Sequence, residues 1–351
     1  MSLLPGYLLL LVAEQAGFSE IQALRATCKF NRSLLDRNEH SVTKANTSRY
    51  PYAPCNHILA SDTREREVLP LDTFDTIREL QTRQRNIDEL VNGNFLDFWD
   101  EYDLDYPSKA DFIRGSLRNA LWRCSEMADL ETHSIKYRDD VVPRRDPCVK
   151  SLIHQDLILR DAPPPDGWHL ALKEVHDSNR QDVRLRQIAH IRECLGASDL
   201  AGILVLAHLT SQGYMRYRAP TSARSRPEIV EMGVCMAENV LRHGVFFLHA
   251  KIKGGEDAHD HAKLLLDDTY EEMRRWETGD PSVMAGLTMT VVARFCEVVG
   301  CERKDYLTAA CTLVRGDVWK KEEDEGEGED DEREKEDGLP DGEGAGFGEM
   351  A

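Results

Sequence analysis

The chain lacks most of the patterns that announce a chemistry. Among its nine cysteines there is no CxxC pair, and the odd count does not fit a disulfide framework. The expectation is reduced, buried thiols in an intracellular protein, with Cys28, Cys194 and Cys235 inside apolar helical patterns. No GxSxG or GxGxxG occurs, and Gly254-Gly255 lacks the Lys-Ser/Thr that a phosphate loop requires. No strand alternation is long enough to build a sheet, and no self-similar repeat recurs at a fixed period. An excess of base is missing too. The net charge is -19, of which residues 322–351 hold fifteen acids against two bases. A mildly acidic body argues against non-specific nucleic-acid binding, which needs cations to displace counterions from phosphates. The apolar run at residues 8–13 is far too short to span a bilayer, it has no basic flank, and no small-x-small cleavage pattern follows it. It reads as a retained segment of a cytoplasmic or nuclear protein.

What is present is helix. At 351 residues and 41% hydrophobic content the chain has ample material for a core. Its opening stretch, residues 4–35, reads as an apolar helix, a short turn and a second amphipathic helix. Pro5 suits a first helical position, Gly17 a stop and Ser19 the next N-cap. Leu8, Leu9, Leu11, Val12, Ala13 and Ala16 cover most of the first helix, and Ile21, Leu24, Cys28 and Leu35 recur at helical spacing in the second. Two helices this apolar leave a surplus that needs a partner, within the chain or outside it.

Farther on, residues 71–91 form a marked helix, capped by Asp72 or Thr73 and ended by Asn92-Gly93. Arg78, Glu79, Arg83, Arg85 and Glu89 read as its solvated face, with i,i+4 pairing. Residues 95–106 interleave five aromatics with acids, which suits core packing or a peptide-binding strip. Ser108 caps a helix to about Leu130 that buries Phe112, Leu117, Leu121, Trp122 and Met127. Prolines 163–165 mark a subdomain boundary. Beyond it helices are expected at 182–195, 198–213, 226–250, 257–276, 282–299 and 301–318. The one starting near Ser198 is almost wholly apolar and therefore central, and Gly213 and Gly300 are read as stops. The loop at 214–226, with Arg216, Arg218, Arg224 and Arg226, reads as solvated, or as able to bind a phosphate or an acidic peptide. From Lys320 on the composition is that of a disordered acidic tail. The fold class is all-α, divided as 1–40, 41–165, 166–319 and 320–351.

Leu4-Pro5, Leu8-Leu9, Val12, Ala16, Ile21, Leu24-Arg25 and Thr27-Cys28-Lys29 together resemble an F-box, the helical motif that docks on Skp1 in cullin–RING ubiquitin ligases. The spacing from Pro5 to Cys28 follows the family pattern without a gap. The chain departs from it at Gly6-Tyr7, where an acid is common, and at Asn31, where Trp is common. The segment after it, from His40 to Cys55, resembles one found downstream of F-box-like segments in fungal proteins. The resemblance implies Skp1 binding by Leu4, Pro5, Leu8, Leu9, Val12, Ile21, Leu24, Arg25 and Cys28. It also implies recruitment of an unknown protein substrate, with no bond chemistry in the adaptor, no cofactor, no nucleic acid and no membrane.

Two other readings stay open. His243, His249, His259-Asp260-His261 and Asp267-Asp268 resemble the ligands of HD metal-dependent phosphohydrolases, with His243, His259, Asp260 and Asp267 as the set. Adjacent helical residues diverge by about a hundred degrees, however, which favours surface decoration. The other reading is a helical scaffold whose first hairpin is merely structural.

Overall fold

The computed structural model describes residues 5–51, 57–61, 68–93, 106–130, 168–218, 225–280, 283–284 and 286–320. Side chains are described from 109 in the helix that starts at Tyr106, from 181 in the one that starts at Trp168, and up to 216 in the one that ends at Arg218. The strip at 95–105, the triple proline and the tail from 321 lie outside the described residues, as do Leu4 and Arg224. By its contacts the chain divides into a unit of Met1–Trp319 and a second of Lys320–Ala351.

The described elements are helical, apart from one small hairpin. Helices α1 (Gly6–Gln15), α2 (Phe18–Thr27), α3 (Lys29–Arg37) and α4 (Glu39–Thr47) come first. Strands β1 (His57–Leu59) and β2 (Val68–Pro70) follow, antiparallel, with Ile58 opposite Leu69. Then come α5 (Phe74–Val91), α6 (Tyr106–Asp129), α7 (Trp168–Cys194), α8 (Ala197–Arg218), α9 (Arg226–Ile252), α10 (Glu256–Glu277), α11 (Leu287–Val299) and α12 (Tyr306–Val314). No described helix is long and apolar enough to cross a membrane.

The opening stretch holds three helices, not two. The second ends at Cys28, whose backbone is extended and whose Sγ accepts the Asn31 N–H at 3.5 Å. A cysteine thus takes the N-cap position where an oxygen is usual. Gly17 serves as N-cap of α2 rather than as a stop for α1, and Pro5 precedes the first turn instead of occupying it. Gly213 does not end α8, which continues to Arg218 and carries Tyr214 and Arg216 as helical residues. The last helix starts at Tyr306, five residues later than its apolar pattern implies.

Helix α8 is the centre. Leu200, Ala201, Ile203, Leu204, Val205, Leu206, Ala207 and Leu209 are all buried, because α6, α9, α11 and α12 surround it. An all-round apolar helix has no face to offer solvent. Glycine lets its neighbours in: a Cβ on Gly202 would stand 3.0 Å from the Ser116 carbonyl oxygen of α6. Helix α9 meets α6 at Gly244, whose φ of 64 and ψ of -151 interrupt the helix. A Cβ there would lie 2.8 Å from the Ser125 Cα. Only glycine adopts that conformation at low cost, and only glycine fits the gap. The break frees the Arg242 carbonyl, which accepts from Gln187 Nε2 at 3.4 Å. One core joins Ile58, Ile113 and Trp122 to Leu204, Phe247, Phe295 and Val314, so residues on both sides of the triple proline contribute to it.

Two expectations about single side chains fail. Phe112 is exposed, with its ring against the turn at Gly316. Cys194 is exposed and Cys28 half-buried, while Cys235 is buried as expected.

Candidate functional site

Helices α1 to α4 share a small core of their own with the start of α5: Ala13, Ile21, Leu35, Val42, Phe74 and Ile77. Hydrogen bonds fix this arrangement. The Asn46 amide on α4 donates to the Ala13 carbonyl at 3.1 Å, and Arg49 donates to the Glu14 carbonyl at 2.6 Å. Both acceptors belong to the last turn of α1, whose carbonyls have no partner within the helix. In turn Glu39 accepts the Phe74 N–H at the start of α5, at 2.7 Å, and Gln81 accepts that of Phe18 at 3.1 Å. One face of α1 is thereby committed to the chain.

The opposite face is not. Tyr7 is 66% exposed, Leu11 54% and Val12 50%. Tyr7 and Leu11 are four residues apart and stand one above the other, with half-buried Leu8 and exposed Val12 on the adjoining flank. Phe30 of α3, 55% exposed, lies near the start of the same helix; its ring comes within 4.0 Å of where a Gly6 side chain would begin. Contiguous aromatic and aliphatic surface of this kind marks interaction sites.

The residues singled out by the F-box resemblance separate into two sets. Pro5 and Val12 are exposed, and Leu8, Leu24, Arg25 and Cys28 are half-buried. Leu9 and Ile21 are buried in the chain's own packing, so they reach a partner only if the helices leave α5. Arg25 is already engaged, with Asp36 at 2.8 Å, Gln22 at 3.0 Å and the Phe74 ring at 5.1 Å. Cys28 is occupied as a helix cap. The set implied by the resemblance leaves out the exposed Tyr7 and Leu11, because an all-apolar helix does not reveal which side turns outward.

The histidine-rich segment does not converge. Among the described residues, no group of three or more His, Cys, Asp or Glu side chains is placed to hold a metal ion. His249 pairs with Glu89 of α5 at 3.1 Å, and the His261 ring lies against Phe246 at 5.8 Å. His259 and Asp260 are consecutive in the first turns of α10, with Asp260 exposed and Asp267 two turns on. His243, His259, Asp260 and Asp267 therefore form no common pocket.

Charged residues do converge in the core. Glu79 and Arg83, placed on a solvated face by their spacing, are both buried. Arg83 donates to Glu79 at 2.6 Å, to both Asp129 oxygens at 2.7 and 2.9 Å, and to the Leu59 carbonyl at 2.6 Å. The Leu59 N–H completes the ring by donating to Asp129 at 2.9 Å. The second cluster joins four helices. Glu238 accepts from Arg242 at 2.8 Å, from Arg184 at 3.1 Å and from the Leu287 and Thr288 N–H groups at 2.8 and 3.0 Å. Arg242 also reaches Glu272 at 2.7 Å. Burial alone would raise the Glu238 pKa, but Arg242, Arg184 and the two backbone donors at the N-terminus of α11 bring it down to about 2. Each carboxylate oxygen is occupied by donors from the fold. These clusters are built to hold helices together, not to meet a substrate.

A groove along α5, lined by Tyr50, Gln81, Gln84, Arg85, Asp88, Glu89 and Asn92, is wide open. Its acids are engaged too, Asp88 by Arg118 and Glu89 by His249. Among the described residues, the strip of α1 combines exposed aromatic and aliphatic side chains, Tyr7, Leu11 and Val12, on one short helix. No protein-family model matches the chain, and neither a curated protein nor a solved structure matches it.

Proposed function

We propose that the chain is an F-box-like adaptor that docks a Skp1-type subunit through the outer face of α1 and offers its helical body to a protein substrate. The supporting observation is the exposed strip Tyr7–Leu11–Val12 on a helix whose other face is tied down. Such an adaptor does no bond chemistry; it raises the local concentration of substrate at the ligase. The docking set is Pro5, Tyr7, Leu8, Leu11 and Val12, with Phe30 near the start of the helix. Leu9 and Ile21 serve as the internal anchors that hold this face outward.

The test is co-purification with Skp1, compared between the parent and the double variant Leu11→Ser with Val12→Ser. Truncating a well-buried interface leucine costs on the order of 2 kcal/mol, about thirtyfold in affinity. The variant should lose Skp1 and keep its helical circular dichroism. A parent chain that never retains Skp1 would sink the reading. The burial of Leu9 and Ile21 favours a second reading, in which α1 to α4 are only a structural cap on α5. That reading predicts no Skp1 retention by either form.

A further inference from the structure

We propose that Cys296 and Cys301 form a redox-sensitive dithiol that closes to a disulfide across the C-terminus of α11. The helix ends at Val299, and Gly300 follows in the left-handed conformation, φ 73 and ψ 27. The Gly300 N–H donates to the Cys296 carbonyl at 2.9 Å. This closure folds the chain back, so the residue after the glycine lies over the last helical turn. In helices that end this way, the two facing side chains are commonly apolar. Here both are thiols.

The surroundings fit the pairing. Cys296 and Cys301 are both half-buried and free, and both pack on the edge of the same core. The Cys296 thiol is among the neighbours that raise the Cys301 thiol. Burial, helped by that neighbour, pushes the Cys301 thiol up to about 11, so Cys301 keeps its proton at neutral pH. Cys124 and Cys235 are buried and their thiols are pushed up by that burial. Cys194 is exposed, on α7, and provides an internal reference.

The oxidant is a low-molecular-weight disulfide such as oxidised glutathione. Cys296 gives its proton to water and its thiolate attacks one glutathione sulfur, forming a mixed disulfide and releasing one glutathione, which takes up a proton. Cys301 then loses its proton and attacks the Cys296 sulfur. The second glutathione leaves and is protonated in turn. Two protein thiols and one oxidised glutathione thus become one protein disulfide and two reduced glutathiones. The product ties the last turn of α11 to the segment leading into α12, and reductant reverses it.

Trypsin cuts after Arg294 and Arg303, so residues 295–303 leave as one peptide with both cysteines and no other. The folded full-length chain is titrated with oxidised glutathione and mapped by mass spectrometry. That peptide should lose two hydrogens before Cys194 gains glutathione, and Cys301→Ser should instead trap glutathione on Cys296. Closure should be on the order of tenfold faster in the folded chain than in urea, where nothing orients the two sulfurs. The proposal is overturned if both thiols survive after Cys194 has reacted, if each cysteine keeps a separate glutathione, or if folded and unfolded chains close at the same rate.

Discussion

Helix α1 turns apolar side chains toward solvent, whereas helix α9 carries two full charges into the core. On α9, Glu238 and Arg242 are buried because α7, α10 and α11 each bring a partner to them. On α1, Tyr7, Leu11 and Val12 are exposed, although Leu9 and Ala13 of the same helix are buried where α2, α3 and α4 pack on it. The two helices teach one lesson from opposite sides. An unfavourable placement is sustained when something compensates it. For α9 the compensation lies within the chain; for the outer face of α1 the described fold supplies none.

The largest effect should come from breaking the compensation on α9. Arg242→Met leaves Glu272 without its closest cation and Glu238 with Arg184 as its remaining one. Removing one partner of a buried ion pair costs about 3–5 kcal/mol, because the charge left behind is desolvated and unpaired. The urea-unfolding midpoint should fall accordingly; a loss below about 1 kcal/mol would show that water reaches the cluster. Acid probes the same place. The Glu238 pKa is lowered on folding to about 2 from an ordinary value of 4.5. Its stabilisation is therefore complete above pH 4.5 and is lost as pH falls through about 2. Glu238→Gln should flatten that part of the stability–pH curve, and an unchanged acid limb would assign it to other carboxylates.

A smaller loss is expected on the inner side of the N-terminal helices. Ile21 is wholly buried between α2 and its neighbours. Ile21→Ala removes three carbons from a close-packed site and should cost about 2–5 kcal/mol, toward the lower end if the small core collapses around the gap. Thermal unfolding followed by circular dichroism measures it. A variant as stable as the parent would mean that α1 to α4 contribute little to the main cooperative transition. The comparison between the two helices would then lose one side.

The central position of α8 was legible from its run of apolar residues, which left no polar face. So was the start of α9, where Ser225 precedes Pro227 in the first turn and pairs with Glu228 in a capping box. The left-handed stop at Gly300 could also be read from its place after an apolar helix. The buried charges could not be read. Glu79 and Arg83 have the i,i+4 spacing of any exposed pair, and Asp129, which completes their cluster, comes 46 residues after Arg83. Gly244 looked like an ordinary helical glycine, since its constraint comes from α6 passing at Ser125. Strands of three residues are too short for alternation to register. At the candidate site the pattern gave a helix at the start of the chain but not which of its faces turns outward. Leu9 and Leu11 are chemically identical, and only the packing of the neighbouring helices, α4 foremost, distinguishes them.

The smallest effect on stability is expected where the effect on docking should be greatest. Leu11→Ser removes an apolar side chain that is 54% exposed and lines no internal core cluster. A surface change of this kind usually shifts stability by no more than about 0.5 kcal/mol. Leu9→Ala, two positions earlier but buried, should cost about 2–5 kcal/mol by leaving a cavity. The contrast is the measurement, since both changes truncate a leucine on one short helix, and the poorer helix propensity of Ser against Ala, about 0.5 kcal/mol, works against the expected order. If Leu11→Ser proves as damaging as Leu9→Ala, the outer face of α1 is packed in the folded chain and cannot be a docking surface. If Leu11→Ser is neutral and raises solubility, the strip is free surface in the isolated chain, as the docking proposal requires.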